Sequence, residues 1–190
     1  VRALRLEATS LAAVTYTGQN AVIHIDNEGD LDLSQLTMER GRALIQTTGS
    51  LSLTAAVQVT ADSSSEIALT AVNGDVLLSN DLTFGQGILT LSAGGSVWQS
   101  ATSDVLNAGG TVHITADAGG FVQSQGATLS SHAASGGGAI TIRAATDVVA
   151  SSINASTALL DVLSLNGSIL ESLDAFGLGD AGNDLIGASL

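Results

Sequence analysis

The chain has 190 residues, of which 45% are apolar, 12% charged and 3% aromatic, and it contains neither cysteine nor proline. Eighteen acids against five basic residues, all of them arginine, give a formal net charge of -13. These numbers exclude disulfide scaffolds and thiolate metal sites, and they predict no nucleic-acid partner. Polar residues interrupt every window of about 18 residues, so we also predict no membrane insertion.

Short runs of alternating apolar and polar residues follow one another along most of the chain. Typical runs are Ile23-His24-Ile25, Leu51-Ser52-Leu53 and Val112-His113-Ile114. A period of two is typical of strands with one buried and one solvated face. Glycine, serine, threonine and asparagine fill the gaps, as turns require. We therefore predict an all-β protein.

A strand–turn–strand unit recurs every 20 to 27 residues, 23 on average, and an aliphatic residue stands two places after each turn position. The predicted turn positions are Gly29, Gly49, Gly74, Gly95, Gly120, Asp147 and Gly167. The aliphatic residues, which we predict to point inward, are Leu31, Leu51, Val76, Val97, Val122, Val149 and Ile169.

Two further apolar elements accompany each turn. The strand before the turn ends at Ile25, Ile45, Leu69, Leu91, Ile114, Ile142 and Leu163. A looser third element follows at Leu36, Val57, Leu82, Leu106, Leu129, Ile153 and Leu173. Three strands in a repeat of this length predict one coil of a parallel β-helix, in which equivalent residues stack at about 4.8 Å.

We predict about seven to eight coils within residues 1–175, followed by an irregular Gly- and Asp-rich end, or the start of a further module, at 176–190. Loops at 62–65, 101–103 and 131–138 are expected to absorb the differences in repeat length. Residues 1–16 already alternate like a coil. We therefore expect an open first coil and a segment cut from a longer chain.

Three stretches carry a family resemblance: residues 87–100 (GILTLSAGGSVWQS), 109–129 (GGTVHITADAGGFVQSQGATL) and 137–153 (GGAITIRAATDVVASSI). They resemble the repeats of filamentous-haemagglutinin-type bacterial surface proteins, including a Gly-x-(Ile/Val)-x-Gln-Ser pattern. The resemblance covers most of the chain. It implies a right-handed parallel β-helix in a giant secreted adhesin, and it carries no catalytic motif.

Two acidic stretches are candidate calcium sites. Residues 179–187 resemble one unit of the Gly- and Asp-rich nonapeptide that binds Ca²⁺ in repeats-in-toxin proteins, with Asp180, Asn183 and Asp184 as the metal-ligating candidates. That fold holds Ca²⁺ between successive units, so a turn or a frayed end is the alternative. Asp26–Asp32 is the second stretch, and a solvated strand face is its alternative. No cofactor other than Ca²⁺ is suggested.

Trp98 is the candidate ligand-binding residue. If Val97 points inward, Trp98 points outward and could stack on a sugar ring, with Phe84, Phe121 and Tyr16 as further aromatic candidates. The alternative is that Trp98 covers a corner or packs under the loop at 101–104.

Catalysis is not predicted, because lysine is absent and Arg143 is the only basic side chain other than histidine after residue 42. We predict a non-enzymatic structural stalk segment of a large bacterial cell-surface or secreted adhesin-like protein. Its partners would be adjacent repeat segments of the same chain, and it would be extracellular or on the cell surface. A carbohydrate- or Ca²⁺-binding module is the second hypothesis, with host or environmental glycans as partners. A polysaccharide lyase or hydrolase is the third.

Overall fold

The computed structural model describes residues 3–12, 14–16, 21–59, 65–133, 136–172 and 185–186. Every regular element among them is a β-strand. The strands form three parallel sheets of eight strands each, which we call sheets 1, 2 and 3. The all-β prediction is therefore confirmed.

Sheet 1 has the longest strands. They are Leu4–Leu6, Ala21–Asn27, Gly41–Thr47, Glu66–Ala71, Ile88–Ala93, Thr111–Ala116, Ile140–Ala144 and Leu160–Ser164. Sheet 2 consists of Ser10–Leu11, Leu31–Leu33, Leu51–Leu53, Val76–Leu78, Val97–Gln99, Phe121–Gln123, Val148–Ala150 and Ile169–Glu171. Sheet 3 consists of Val14–Tyr16, Leu36–Met38, Val57–Val59, Leu82–Phe84, Asp104–Asn107, Thr128–Ser130, Ser152–Asn154 and Leu185–Ile186.

The chain visits sheets 1, 2 and 3 in turn, and each strand pairs in parallel with its equivalent one visit later. The result is a parallel β-solenoid with three strands per coil, as predicted, and we number the eight successive coils 1 to 8 from the N-terminus. A short antiparallel pair, His132–Ala133 with Gly136–Gly137, lies between coils 6 and 7. It occupies the loop predicted at 131–138.

The interior is filled by ladders of aliphatic side chains. In sheet 1, Ile45, Leu69 and Leu91 stack in register and are almost completely buried. The inward positions of all three sheets join into one hydrophobic core. Burial of apolar surface contributes about 25 cal/mol per Å², so this continuous core is the main favourable term in the fold.

The sequence-based register of coils 6 and 7 is wrong by one residue in sheet 2. Val97 pairs with Phe121, which is completely buried, whereas Val122 pairs with Trp98 and is only half-buried. In coil 7 the inward residue is Val148, and Val149 points outward beside Val122.

The corresponding turn positions move with this register. Gly119 N–H donates to the carbonyl of Gly95, and Thr146 N–H donates to the carbonyl of Gly119. Gly119 and Thr146 therefore take the turn positions predicted for Gly120 and Asp147. Phe121-Val122 and Val148-Val149 are both apolar doublets, and a one-residue slip on a strand moves every side chain to the other face. In each doublet, either residue could be the buried one, so the alternation does not define the register.

In two of the other predicted elements the named residue, Leu106 or Leu163, likewise stands one position away from the residue that holds the inward register. In coil 5 of sheet 3 the buried residue is Val105, and Leu106 is 41% exposed. In coil 8 of sheet 1, Val162 pairs with Ile142, and Leu163 is 37% exposed. Leu173 lies outside the described residues, and the strand that pairs with Ile153 is Leu185–Ile186.

The inward ladders are exposed at both ends of the described solenoid. Leu4 of coil 1 pairs with the buried Ile25 but is itself 58% exposed. Ile169 of coil 8 pairs with the buried Val148 and is 48% exposed. Both end coils therefore expose apolar side chains whose equivalents inside the stack are covered by a neighbouring coil.

Candidate functional site

The corner between sheets 1 and 2 carries a ladder of polar side chains. In coils 2 to 8 the corner residues are Asp30, Ser50, Asp75, Ser96, Gly120, Asp147 and Ser168. Ser96 N–H donates a hydrogen bond of 2.7 Å to Asp75 Oδ1, and Gly120 N–H donates one of 3.2 Å to Ser96 Oγ. The same bond runs from Ser50 to Asp30 (2.7 Å), from Asp75 to Ser50 (3.2 Å) and from Ser168 to Asp147 (2.8 Å).

These side-chain oxygens occupy the space where the turn glycine of the next coil would carry a Cβ. A Cβ on Gly95 would collide with Asp75 Oδ1, and one on Gly119 would collide with Ser96 Oγ. Close approach therefore requires glycine at these positions. Gly29 differs, because it has open space around it and a φ of +89°, so its backbone conformation is what favours glycine.

The corner aspartates have a structural role that explains their presence. Each of the three accepts the N–H of the next coil where the backbone turns away from the regular ladder, and a backbone N–H without a partner is costly. Asp81 and Asp104 do the same where the chain enters sheet 3. Asp81 Oδ1 accepts from Asp104 N–H at 2.9 Å, and Asp104 Oδ1 accepts from Thr128 N–H at 3.1 Å. Many of the acids in this chain thus act as hydrogen-bond acceptors between coils.

Two buried glutamines cross-link the corner between sheets 2 and 3. Gln123 Nε2 donates to Gln99 Oε1 at 2.9 Å, and Gln99 Nε2 donates to the carbonyl of Ser103 at 2.7 Å. Ser151 N–H donates to Gln123 Oε1 at 3.0 Å. Gln99 belongs to the Gly-x-(Ile/Val)-x-Gln-Ser pattern, and Gln123 holds the equivalent place with Phe121 at the aliphatic position. The structure gives both glutamines an interior role.

The acidic stretch at 26–32 has protein partners for several of its carboxylates. Asp26 lies 3.4 Å from His24, Asp30 binds Ser50 N–H, and Asp32 accepts from Thr54 Oγ1 at 2.6 Å. Across the described ranges, the structure places no three His, Asp or Glu residues so that they could hold a metal ion. A solvated, hydrogen-bonded strand face accounts for the stretch.

A shallow groove lies beside this stretch at the N-terminal end. It has a volume of about 620 Å³ and is lined in part by Arg5, Glu7, Asp26 and Glu28. An acidic cluster alone defines no ligand, and nothing in the groove selects one.

The other calcium candidates, Asp180, Asn183 and Asp184, lie outside the described residues. Their role as Ca²⁺ ligands stays a prediction.

The outer face of sheet 1 carries two ion pairs between neighbouring coils. Arg42 Nε lies 2.8 Å from Glu66 Oε2, and Arg143 Nη2 lies 2.8 Å from Asp161 Oδ2. All four side chains are substantially exposed, so each pair contributes at most about 1 kcal/mol to stability. Arg42 and Glu66 are register partners, whereas Asp161 lies two residues before Leu163, the register partner of Arg143. Both pairs connect successive coils.

Trp98 is the most distinctive outward side chain. Its neighbour Val97 is fully buried, as alternation predicts, and Trp98 is 44% exposed. The outward neighbours of Trp98 in sheet 2 are apolar over five consecutive coils. We call this row the apolar stripe, and it consists of Leu77, Trp98, Val122, Val149 and Leu170. Leu170 is 46% exposed, and the other three aliphatic residues are half-buried.

The other aromatic candidates do not accompany Trp98. Phe84 and Phe121 are both fully buried and belong to the core ladders, so their prediction as ligand-binding aromatics is wrong. The side chain of Tyr16 lies outside the part of the chain that the structure describes. Val122 and Val149, which join Trp98 on the stripe, were missed because both were predicted to point inward.

Comparison with protein-family models, with curated proteins and with solved structures finds no match for this chain. The described residues include no helix that is long and apolar enough to cross a membrane. The fold is thus established by the stacked sheets themselves.

Proposed function

We propose that this chain is a non-enzymatic structural stalk segment of a large bacterial cell-surface or secreted adhesin-like protein. The observation that carries the proposal is the unbroken stack of coils. Eight strands pair in register in each of three sheets, and side chains at two corners bind the backbone of the next coil. Such a stack is stiff along its axis, because its hydrogen bonds run parallel to that axis.

The ends of the stack support a place within a longer solenoid. Leu4 and Ile169 hold inward positions but are 58% and 48% exposed, whereas their equivalents inside the stack are buried. An additional coil at either end would cover them, and adjacent repeat segments of the same chain are the partners we propose.

The charge and the family resemblance support the extracellular or cell-surface setting. A net charge of -13 on 190 residues keeps a rod soluble and opposes side-to-side association of rods. The repeats at 87–100, 109–129 and 137–153 resemble those of secreted bacterial adhesins, and the setting rests on that resemblance.

The proposal is tested by changing the number of copies of this segment in the protein that carries it. Each in-frame copy should lengthen the particle by roughly 38 Å, that is eight coils at about 4.8 Å, as measured by electron microscopy of the purified protein. Surface exposure, measured with an antibody on intact cells, should persist. A particle of unchanged length, or a chain that stays inside the cell, would refute the stalk role.

A further inference from the structure

We propose that the apolar stripe is a binding site for a neutral, linear polysaccharide that lies along the solenoid axis. The stripe, Leu77-Trp98-Val122-Val149-Leu170, follows the axis for four inter-coil steps, or about 19 Å. The rest of the same outward row is polar, with Ser10, Asp32 and Ser52 in coils 1 to 3. The apolar surface is thus confined to coils 4 to 8.

The dimensions of the stripe favour a narrow ligand. Each strand of sheet 2 in coils 4 to 8 has three residues, with the first and third in inward register, so the stripe is one side chain wide. A stable protein–protein interface buries about 800 Å² on each partner. A strip about 19 Å long and one side chain wide supplies only a small part of that area, so a folded partner or a second copy of this chain is disfavoured.

The chemistry beside the stripe favours a sugar over an extended peptide. The backbone N–H and C=O groups of sheet 2 are used in the pairing of successive coils, so a peptide laid on this face would leave its own backbone unpaired. A pyranose ring has no such requirement. Its C–H face stacks on an indole, and its hydroxyls can bind hydroxyl side chains.

Hydroxyl side chains line one side of the stripe. Ser79, Ser100 and Ser124 directly follow the strands of coils 4, 5 and 6, and Ser79 and Ser124 are exposed. Ser96, on the other side of Trp98, belongs to the corner ladder. An aromatic ring between two serines matches a ligand with an apolar face and hydroxyl edges.

The charges near the stripe select a ligand without negative charge. Asp75 and Asp147 lie in the adjoining corner ladder, and Glu171 follows Leu170 directly. The only arginine after residue 42 is Arg143, which is paired with Asp161 on sheet 1. Uronic-acid and sulfated chains would therefore be repelled.

The test uses the single tryptophan of the chain as its own probe. Cellohexaose, xylohexaose, mannohexaose, laminarihexaose and chitohexaose are titrated while the fluorescence of Trp98 is followed, and binding is then measured by calorimetry. We expect at least one of these neutral oligosaccharides to bind with a shift in Trp98 emission, and polygalacturonate not to bind.

The variants separate the stripe from general surface effects. Trp98→Ala should weaken binding at least about tenfold, and Trp98→Phe should restore part of it. Ile88→Ala is the matched control, since Ile88 is 43% exposed on the outer face of sheet 1, and it should leave the affinity unchanged. Circular dichroism checks that each variant is folded. Binding of none of the five oligosaccharides at millimolar concentration, or equal affinity of the Trp98→Ala and unchanged proteins, would overturn the proposal.

Discussion

At the scale of single residues, the corner between sheets 1 and 2 shows how a side chain in one coil determines which residue the next coil can carry. Asp75 Oδ1 fills the space beside Gly95, and Ser96 Oγ fills the space beside Gly119. Where the corner residue is Gly120 there is no such side chain, and Thr146 stands at the turn position of the following coil. The requirement for glycine at position 95 therefore comes from Asp75, whereas a Cβ on Gly49, Gly74 or Gly119 would also meet backbone atoms of the preceding coil at 2.5–2.8 Å.

This dependence predicts a coupling between Asp75 and Gly95. Gly95→Ala should destabilise the protein by about 1–3 kcal/mol, because the new methyl group collides with Asp75 Oδ1. Asp75→Ala should cost about 1 kcal/mol, since Ser96 N–H loses its acceptor. Urea unfolding of the two single variants and the double variant measures these terms.

The double variant, Asp75→Ala with Gly95→Ala, should be more stable than the sum of the two single effects predicts, because the first change makes room for the second. Gly29→Ala is the control, because no atom lies within 4 Å of the added Cβ and any destabilisation there comes from the positive φ. Its effect on the free energy of unfolding should not depend on Asp75. If the changes in unfolding free energy of the two single variants simply added up in the double variant, the collision between the new methyl group and Asp75 Oδ1 would not be the cause of the destabilisation.

At the scale of strands, alternation predicts the fold well and the register less well. The inward positions Leu31, Leu51, Val76 and Val97 are all confirmed as buried. The one-residue differences fall at four places where two apolar residues are adjacent: Phe121-Val122, Val148-Val149, Val105-Leu106 and Val162-Leu163. The sequence of one strand does not show which of two such residues is buried, because the register is fixed by pairing with the neighbouring coil.

The two faces of sheet 2 can be compared directly by charge substitution. Val97→Asp should cost about 3 kcal/mol or more and unfold the protein under mild conditions, because an unpaired charge enters a dry core. Val122→Asp should cost less than about 1 kcal/mol, since Val122 faces outward. Thermal unfolding followed by circular dichroism compares them.

His113→Ser is the outward reference on sheet 1 and should change stability by less than about 0.5 kcal/mol. If Val122→Asp proved as damaging as Val97→Asp, the structural register of coil 6 would be wrong.

The candidate site was only partly accessible to sequence reasoning. The outward position of Trp98 follows from alternation around Val97. The apolar row through Val122 and Val149 requires the pairing of coils 5 to 8, which no single repeat contains. The corner hydrogen bonds likewise depend on residues about 20 to 25 positions apart.

At the scale of the whole molecule, stability should fall from the middle of the stack toward its ends. A coil inside a solenoid is covered on both sides, whereas an end coil is covered on one. The exposed fractions follow this rule, since Leu4 and Ile169 are 58% and 48% exposed and Leu91 is fully buried.

Hydrogen exchange should reproduce this gradient. Amides of coils 4 to 6 should exchange only by global unfolding, and amides of coils 1 and 8 should exchange faster by local opening. Sedimentation over a concentration series shows whether end-to-end association protects the end coils. Uniform protection of all eight coils in a monomer would indicate that the ends are covered by an element not recognised as a cap.

Equivalent residues of successive coils lie side by side, and the absence of cysteine makes this register directly testable by disulfide formation. Thr90 and His113 are register partners on the outer face of sheet 1, and Thr115 lies two residues further along the same strand. Neighbouring strands bring register partners within the range of about 4.4–6.8 Å that a disulfide bridges between Cα atoms, and a two-residue offset exceeds it. The Thr90→Cys/His113→Cys variant should therefore oxidise to an internal disulfide with the fold intact, and Thr90→Cys/Thr115→Cys should remain reduced. Disulfide formation in the second variant and not in the first would contradict the register on which the solenoid depends.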